Sequence, residues 1–304
     1  MTWGSETTTD ELLTGHDLTG RIAVVTGGTG GIGEETVRAL AAAGAHVVMA
    51  GRDESKAHAA VGRIRAAHPT ASVEFAQVDL LSLASARSFA ADVSARRPVI
   101  DLLVNNAGIM AGPFRHTVDG HEAQFGVNHL AHFVLTRGLM ANLLAAPDAR
   151  VINLSSAGHA FGGFDLDDVD FERRPYTGFA GYGQSKTANI LFSVELDRRF
   201  RDQGIRSAAV HPGGIRTELG RNFTDDDKAG IAVRLADRPE GTDAFRWKSP
   251  AQGAATTVWA GVVADAAEVG GQYCEDCRVS QTTTPAACDP AVAKQLWELS
   301  EQLT

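Results

Sequence analysis

The chain has 304 residues, of which 44% are hydrophobic and 21% charged, and its net charge is −9 from 28 basic and 37 acidic residues. The length suits one large α/β domain or two small ones. The acidic balance lacks the basic footprint of a nucleic-acid-binding protein. No apolar run approaches about 18 residues, so no transmembrane helix is expected. The first ten residues, MTWGSETTTD, lack the basic and apolar parts of a signal peptide.

The cysteine content is low and odd, with only Cys274, Cys277 and Cys288 in the chain. Such usage in a long chain is typical of a reducing compartment, and we predict a cytoplasmic location. The first two cysteines have C-x-x-C spacing but lack the second ligand pair of a zinc site. We therefore expect buried or incidental thiols and no metal site.

The pattern of predicted elements indicates one α/β domain. Residues 1–19 form a polar lead-in that we expect to be partly disordered, and residues 20–304 form the domain. Short apolar runs alternate with segments of helical periodicity, which predicts a doubly wound parallel sheet with helices on both faces. Strands are expected at 21–26, 46–50, 72–76, 100–104, 150–154 and 205–210, and helices at 34–43, 54–67, 82–96, 120–143 and 179–201.

A glycine-rich segment, TGGTGGIG from Thr26 to Gly33, joins the first strand to the first helix. Its glycines permit a tight turn and a close approach of backbone to a pyrophosphate. The helix N-terminus that follows offers free N–H groups and the positive end of its dipole. A glycine-rich string alone could be only a flexible turn, but between a strand and a helix it predicts a dinucleotide-binding site.

The end of the second strand bears on which dinucleotide is bound. An acidic residue there would bind the ribose 2′-hydroxyl of NAD, but Gly51 occupies the expected position. Arg52 follows and can meet a 2′-phosphate through a charge-assisted contact. The alternative is that Arg52 is only solvated and Asp53 caps the next helix. We favour NADP as the cofactor over NAD.

Tyr182 and Lys186 are four residues apart in a segment of helical periodicity, which places both side chains on one helix face. An ammonium beside a phenol favours the phenolate, so the pKa of Tyr182 is expected to fall toward working pH and make it a general acid/base. The pair alone is a weak signal, since this spacing occurs by chance in many helices. It gains meaning only beside a hydride carrier and an oxyanion donor.

The motifs together resemble the short-chain dehydrogenase/reductase family over about residues 18–280. The match rests on Thr26-Gly27-x-x-x-Gly31-x-Gly33, Asn105-Asn106-Ala107-Gly108, Ser156, Tyr182-x-x-x-Lys186 and Pro212-Gly213, which stand in the family's order. The resemblance implies a single-domain Rossmann fold and hydride transfer between NAD(P) and a carbonyl/alcohol pair.

The resemblance also implies a role for each matching residue. Tyr182 exchanges a proton with the substrate oxygen, Ser156 hydrogen-bonds that oxygen, and Lys186 assists the tyrosine and holds the nicotinamide ribose. Asn128 holds the lysine through water, whereas Ser155 is structural. The implied cofactor contacts are Gly27, Thr29, Gly31, Ile32, Gly33, Arg52, Asp79, Leu80, Asn106, Ala107, Gly108, Tyr182, Lys186, Pro212, Gly213, Ile215 and Thr217.

Ser156 and Tyr182 lie 26 positions apart, which leaves room for an insertion at about residues 162–176. This resembles the branch that holds the retinol dehydrogenases and the WW-domain oxidoreductase. We expect a hydrophobic carbonyl or alcohol substrate bounded by the insertion, by a lobe at about 215–249 and by side chains that include His159 and Phe161, besides Ser156 and Tyr182.

Two other functions remain open, namely an enone C=C reductase and a dinucleotide-sensing binding protein without catalysis. Related enzymes form homodimers or homotetramers through the two long helices, here 120–143 and 179–201. The alternative is that these faces are simply solvated. Neither a nucleic-acid nor a membrane partner is expected.

Overall fold

The computed structural model describes residues 3–215, 219–220, 223–225, 227 and 246–304. Its described strands form one sheet in the order β3-β2-β1-β4-β5-β6-β7-β8, parallel except for the last pair. The strand order reverses between β1 and β4, so the carboxyl ends of these two strands border a crevice. The bounds are β1 Ile22–Thr26, β2 His46–Gly51, β3 Ser72–Gln77, β4 Leu102–Asn105, β5 Ala149–Leu154, β6 Ile205–His211, β7 Tyr273–Glu275 and β8 Arg278–Val279.

Helices cover both faces of the sheet. They are α1 Thr9–Leu13, α2 Gly31–Ala42, α3 Glu54–Ala67, α4 Leu83–Arg96, α5 Ala123–Phe125, α6 Ala131–Gly138, α7 Met140–Leu144, α8 Gly178–Phe200, α9 Pro250–Val258, α10 Ala266–Val269 and α11 Pro290–Leu303. The predicted elements up to residue 211 are present within a few residues of their expected bounds. The predicted helix 120–143 is interrupted by a π-helical turn, Gly126–Leu130.

The core consists of two apolar layers, one on each face of the sheet. Val24 and Val48 point into the layer beneath α4, α6, α8 and α11. Val25 and Val47, their immediate neighbours in sequence, point into the layer beneath α2, α3 and α9. Successive side chains in a strand alternate between faces, so near-continuous apolar strands fill both layers. This confirms the doubly wound Rossmann fold.

The N-terminal lead-in is folded, and the expectation of partial disorder is wrong for its described part. Thr8 and Glu11 form a reciprocal capping box at the start of α1. Leu12 is only 1% exposed within the core layer that contains α2. Arg38 of α2 donates to Asp10 at 2.7 Å. The buried Leu12 and Leu13 and the Arg38–Asp10 ion pair therefore attach this segment to the domain, although its overall composition is polar.

The C-terminal helix α11 lies against α8 and reaches α6, a contact that the sequence pattern did not predict. Trp297 is 3% exposed, with ring centroids 5.0 Å from Phe133 and 5.8 Å from Phe192. The Arg199 guanidinium stacks over the same indole at 4.5 Å. The chain's own helix thus covers part of the two-helix face that the resemblance assigns to oligomer contacts.

The insertion at residues 162–176 is organised by one buried carboxylate. Asp168 accepts hydrogen bonds from the Arg174 backbone N–H at 3.0 Å and from its guanidinium at 3.2 Å. Arg174 also donates to Gln184 of α8 at 2.6 Å and stacks over Phe171 at 4.4 Å. The insertion is therefore docked on the helix that carries the predicted catalytic pair.

Candidate active site

The glycine-rich turn after β1 is packed so closely that side chains are excluded at two positions. Gly27 has φ +66°, and a Cβ there would lie 2.9 Å from the Ala107 Cα. A Cβ on Gly33 would lie 2.2 Å from the Gly27 carbonyl oxygen. Helix α2 begins at Gly31 with φ +56°, and Gly30 provides no side-chain cap for the free N–H groups of its first turn. This is a cradle suited to a pyrophosphate.

The end of β2 leaves little room for an acidic side chain. A Cβ on Gly51 would lie 2.9 Å from the Thr29 methyl group in the same turn. Arg52 is exposed, and its carbonyl accepts a hydrogen bond from Gln77 at 3.0 Å. Asp53 is the N-cap of α3 and accepts from a backbone N–H at 3.0 Å. Arg52 therefore presents an exposed guanidinium at this corner.

The Thr26 hydroxyl joins the glycine-rich turn to the segment after β4. It accepts the backbone N–H groups of Asn106 at 2.9 Å and Ala107 at 3.0 Å. The Asn106 amide donates back to the Thr26 carbonyl at 2.7 Å. Gly108 follows, where a Cβ would approach the Asn128 Oδ1 to 3.1 Å. The predicted cofactor residues of both segments therefore meet at one edge of the sheet.

Two other predicted cofactor segments border this edge. After β3, Asp79 accepts the Leu81 N–H at 3.0 Å, and Leu80 is buried. After β6, Gly213 has φ +91°, and a Cβ there would lie 2.8 Å from the Lys248 side chain. Pro212 and Ile215 belong to the same segment, and Ile215 forms a β-bridge with Lys248. Thr217 lies outside the described residues.

Ser156 and Tyr182 meet at the end of β5. Tyr182 is 4% exposed, and the Ser156 hydroxyl and the Tyr182 ring both lie beside Gly158. The Ser156 hydroxyl also accepts the Gly158 N–H at 3.0 Å. A Cβ on Gly158 would lie 2.8 Å from the Tyr182 ring, and a Cβ on Gly183 would lie 1.8 Å from the Phe161 carbonyl oxygen. Both glycines allow α8 and the turn that carries Ser156 to approach closely. Neither glycine was predicted from the sequence.

Lys186 lies on the same face of α8, one turn after Tyr182, as the spacing predicted. Its ammonium donates to the Leu154 carbonyl at 2.9 Å and lies 5.5 Å from the Tyr182 ring centroid. Ser155 donates to the Lys186 carbonyl at 2.9 Å, a structural contact. Burial lowers the pKa of Lys186 to about 7. Burial also raises the pKa of Tyr182 to about 12, although the neighbouring Ser156 acts in the opposite direction. Burial thus opposes the fall of the Tyr182 pKa that the spacing predicted.

Asn128 is held inside the π-helical turn. Its amide nitrogen donates to the Ile109 carbonyl at 3.0 Å and to the Ser185 hydroxyl at 2.9 Å, and its Oδ1 accepts the Ile109 N–H at 2.9 Å. Turns of this type are frequent at functional sites because they displace backbone groups from the regular helical ladder. Ser185 lies directly before Lys186, so the structure brings the four predicted catalytic residues together.

The predicted substrate residues divide into two groups. Phe161 is partly exposed and has its ring centroid 5.9 Å from Phe179, which lies 6.1 Å from Phe223. These rings form an apolar wall at the start of α8. His159 is instead 4% exposed, with Nδ1 2.7 Å from the Ser156 carbonyl and Nε2 accepting the Thr284 N–H at 3.4 Å. Its imidazole is therefore a packing group, which argues against the predicted substrate contact.

Tyr176, expected on the substrate wall, is turned toward the start of α5. Its hydroxyl donates to Glu122 at 3.2 Å and accepts from Gln124 at 2.9 Å. A Cβ on Gly181 would lie 2.7 Å from the Tyr176 ring. The residue thus ties the insertion to the helical segment that carries Asn128.

Within the described residues, no cluster of three or more histidine, cysteine or acidic side chains has a metal-binding arrangement. Burial raises the pKa of Cys274 to about 12 and that of Cys277 to about 11, which disfavours the reactive thiolate form of both. Among the same residues, no helix has both the length and the apolar character needed to cross a bilayer.

The sequence matches known proteins over nearly its whole length. Residues 21–228 match the model of the family described as short chain dehydrogenase. Human retinol dehydrogenase 13 is 38% identical over 289 residues, which cover 94% of this chain and 85% of the relative. The WW domain-containing oxidoreductase of Danio rerio is 39% identical over 301 residues, covering 96% and 70%.

Solved structures give the same result. An uncharacterised protein from Mycobacterium paratuberculosis superposes with a TM-score of 0.74 at 33% identity, covering 100% of this chain and 97% of that one. The Pseudomonas aeruginosa RhlG/NADP complex has a TM-score of 0.66 at 28% identity, covering 85% and 95%. The chain therefore belongs to the short-chain dehydrogenase/reductase family, in the branch of the retinol dehydrogenases and the WW-domain oxidoreductase, and is an oxidoreductase of the alcohol/carbonyl class.

Proposed function

We propose that the protein is an NADP(H)-dependent oxidoreductase that interconverts a carbonyl and an alcohol on a hydrophobic small molecule. The observation that carries this proposal is the meeting of Ser156, Tyr182 and Lys186 at the sheet edge where the glycine cradle opens. When bound, NADP(H) would supply the hydride, with the Thr26–Gly33 turn and the Asn106–Gly108 segment holding it.

The side chains would handle the proton and the substrate oxygen. With its pKa near 12, Tyr182 carries a proton at neutral pH and can donate it to an oxygen that develops negative charge. The Ser156 hydroxyl lies beside the phenol and can hydrogen-bond the same oxygen. The aromatic wall of Phe161, Phe179 and Phe223 favours an apolar substrate body.

The preference for NADP rests on the corner formed by Gly51 and Arg52. An acidic side chain at position 51 would collide with Thr29, whereas the exposed guanidinium can pair with a 2′-phosphate. The NADP complex of the related RhlG supports this preference. A comparison of kcat/KM for NADPH and NADH tests it, and an equal or higher value for NADH would contradict it.

The function is tested by NADPH oxidation with a panel of hydrophobic ketones, aldehydes and enones, using Tyr182→Phe as the variant. Loss of the general acid is expected to lower turnover by about 10²–10⁴-fold, while the dissociation constant for NADPH stays close to the wild-type value. Retained turnover in the variant would refute the role of Tyr182. Product analysis separates C=O from C=C reduction, and NADPH binding without turnover on any substrate would favour the sensing function.

Location and assembly stay predictions. The cytoplasmic location rests on the cysteine content. Homodimers or homotetramers were predicted through 120–143 and 179–201, but Trp297 occupies the part of that face formed by Phe133 and Phe192. Light scattering on the full chain distinguishes a monomer from either assembly.

A further inference from the structure

His132 lies in the first turn of α6. It is a buried polar residue, and none of the catalytic roles proposed above involves it. Its side chain is 2% exposed. Nε2 lies 2.9 Å from the Thr26 hydroxyl at the end of β1, and Nδ1 lies 3.1 Å from the Asn128 carbonyl oxygen in the π-helical turn. The imidazole therefore bridges the cofactor edge of the sheet and the helix that holds a catalytic residue.

Counting donors and acceptors at Thr26 assigns the proton on this ring. The Thr26 oxygen already accepts two backbone N–H groups, from Asn106 and Ala107. Its single hydrogen can go to His132 Nε2 at 2.9 Å or to the Val104 carbonyl at 3.4 Å. The shorter contact is the stronger one, so Nε2 is the acceptor. A neutral imidazole carries one hydrogen, which then lies on Nδ1 and donates to the Asn128 carbonyl.

The ring also stays neutral. Burial lowers the pKa of His132 to about 4, with a further lowering from Lys186 and an opposing effect of the Asn128 backbone. At neutral pH, the chain of hydrogen bonds therefore runs in one direction, from the Asn106–Ala107 backbone through Thr26 and His132 to Asn128. The two middle members, Thr26 and His132, each accept from the preceding residue and donate to the next one.

We propose that His132 is a positioning residue that couples the nucleotide-binding segment after β4 to the carbonyl of Asn128. The proposal rests on the proposed function and on the role that the family resemblance implies for Asn128, which is to hold Lys186 through water. The Asn128 side chain is fixed by Ile109 and Ser185, while the carbonyl lies where the π-turn displaces the helical ladder. The Nδ1–H of His132 donates to this carbonyl, so His132 variants should affect proton transfer more than cofactor affinity.

Three substitutions separate positioning from simple packing. His132→Asn keeps a donor near the Nδ1 position, His132→Gln keeps an acceptor near Nε2 but not the short donor, and His132→Phe keeps only the ring. We expect kcat within about threefold of wild type for the Asn variant, and at least about tenfold lower for Gln and Phe. KM for NADPH should change by less than about threefold in all three, and the pH profile of kcat should shift only in Gln and Phe.

The Thr26 end provides an independent test, which also covers the case that His132→Phe does not fold. Thr26→Ser keeps the hydroxyl, and Thr26→Val removes it at nearly constant shape. Val should lower kcat at least as much as His132→Gln does and more than Ser does, and the combined effect of Thr26→Val and His132→Gln should be smaller than the sum of the two single effects. Equal kcat in the Asn and Gln variants, or losses that follow thermal stability alone, would overturn the proposal.

The ring tautomer gives a readout without turnover. Nitrogen-15 correlation spectra of the imidazole should show the Nδ1–H form of His132 in the wild type and a mixture in Thr26→Val. An Nε2–H ring in the wild type would refute the hydrogen-bond assignment. An enzyme inactive on every substrate but with the expected tautomer would instead count against the proposed function and leave this coupling intact.

Discussion

Gly33→Ala is expected to damage the cofactor cradle, whereas Gly30→Ala in the same turn should not. The new methyl group at position 33 would lie 2.2 Å from the Gly27 carbonyl oxygen and 2.5 Å from the Asn106 amide nitrogen. Contact between non-bonded heavy atoms lies near about 3.5 Å, so turn and helix must separate by roughly 1 Å. At position 30 nothing lies within 4 Å of an added Cβ, and φ is −174°, an ordinary extended value.

The assay is the dissociation constant for NADPH, measured by nucleotide fluorescence, together with thermal unfolding. We expect Gly33→Ala to weaken binding at least about tenfold, equivalent to about 1.4 kcal/mol, and to cost about 1–3 kcal/mol of stability through overpacking. Gly30→Ala should stay within about twofold of wild type in affinity. Unchanged affinity in Gly33→Ala, or an equal loss in both variants, would refute the assignment of this turn as the phosphate cradle.

Two predictions concern stability. Trp297→Ala should lower the free energy of unfolding, measured in urea, by about 3–5 kcal/mol because the indole is buried. Trp247→Ala, at a side chain 53% exposed, should lower it by less than about 1 kcal/mol. Equal losses in the two variants would show that the packing of α11 adds little to stability. Burial lowers the pKa of His129 to about 3 and of His132 to about 4, so the unfolded chain binds more protons below about pH 6.5. The contribution of the two histidines to the free energy of unfolding should therefore be fully present above that pH. Below it, the free energy of unfolding should fall toward pH 4 by up to about 1.4 kcal/mol per pH unit for each histidine, and less steeply in His132→Asn. A free energy of unfolding that does not change with pH, or an equally steep fall in the variant, would contradict this prediction.

The elements and motifs before residue 211 could be predicted because their signals are local. The β-branched run before Thr26 and the glycines after it define a strand, a turn and a helix without reference to the rest of the chain. The i, i+4 spacing of Tyr182 and Lys186 likewise follows from helix geometry alone. The later part of the sheet was not predicted, because β7 and β8 are only three and two residues long and β7 pairs with β6, which is distant in sequence.

Tertiary contacts explain two places where the structure differs from what the sequence pattern predicted. The lead-in is polar on average, but Leu12 and Leu13 point into the core, and two side chains are enough to attach a short helix. His159 lies three positions after the predicted catalytic serine, yet its ring turns toward Thr284, which is 125 residues away. Neither outcome is visible in a local pattern, since each depends on which remote surface the chain meets.

The pKa of Tyr182 shows where a spacing argument is incomplete. The i, i+4 spacing predicts that Lys186 acts as a neighbouring charge and lowers the tyrosine pKa. In the folded chain both groups are buried, and burial opposes the charged form of each. The lysine ammonium bonds to the Leu154 carbonyl, so it lies beside the ring rather than on the hydroxyl. Spacing gives proximity but not solvation, and burial holds the pKa of Tyr182 above its ordinary value.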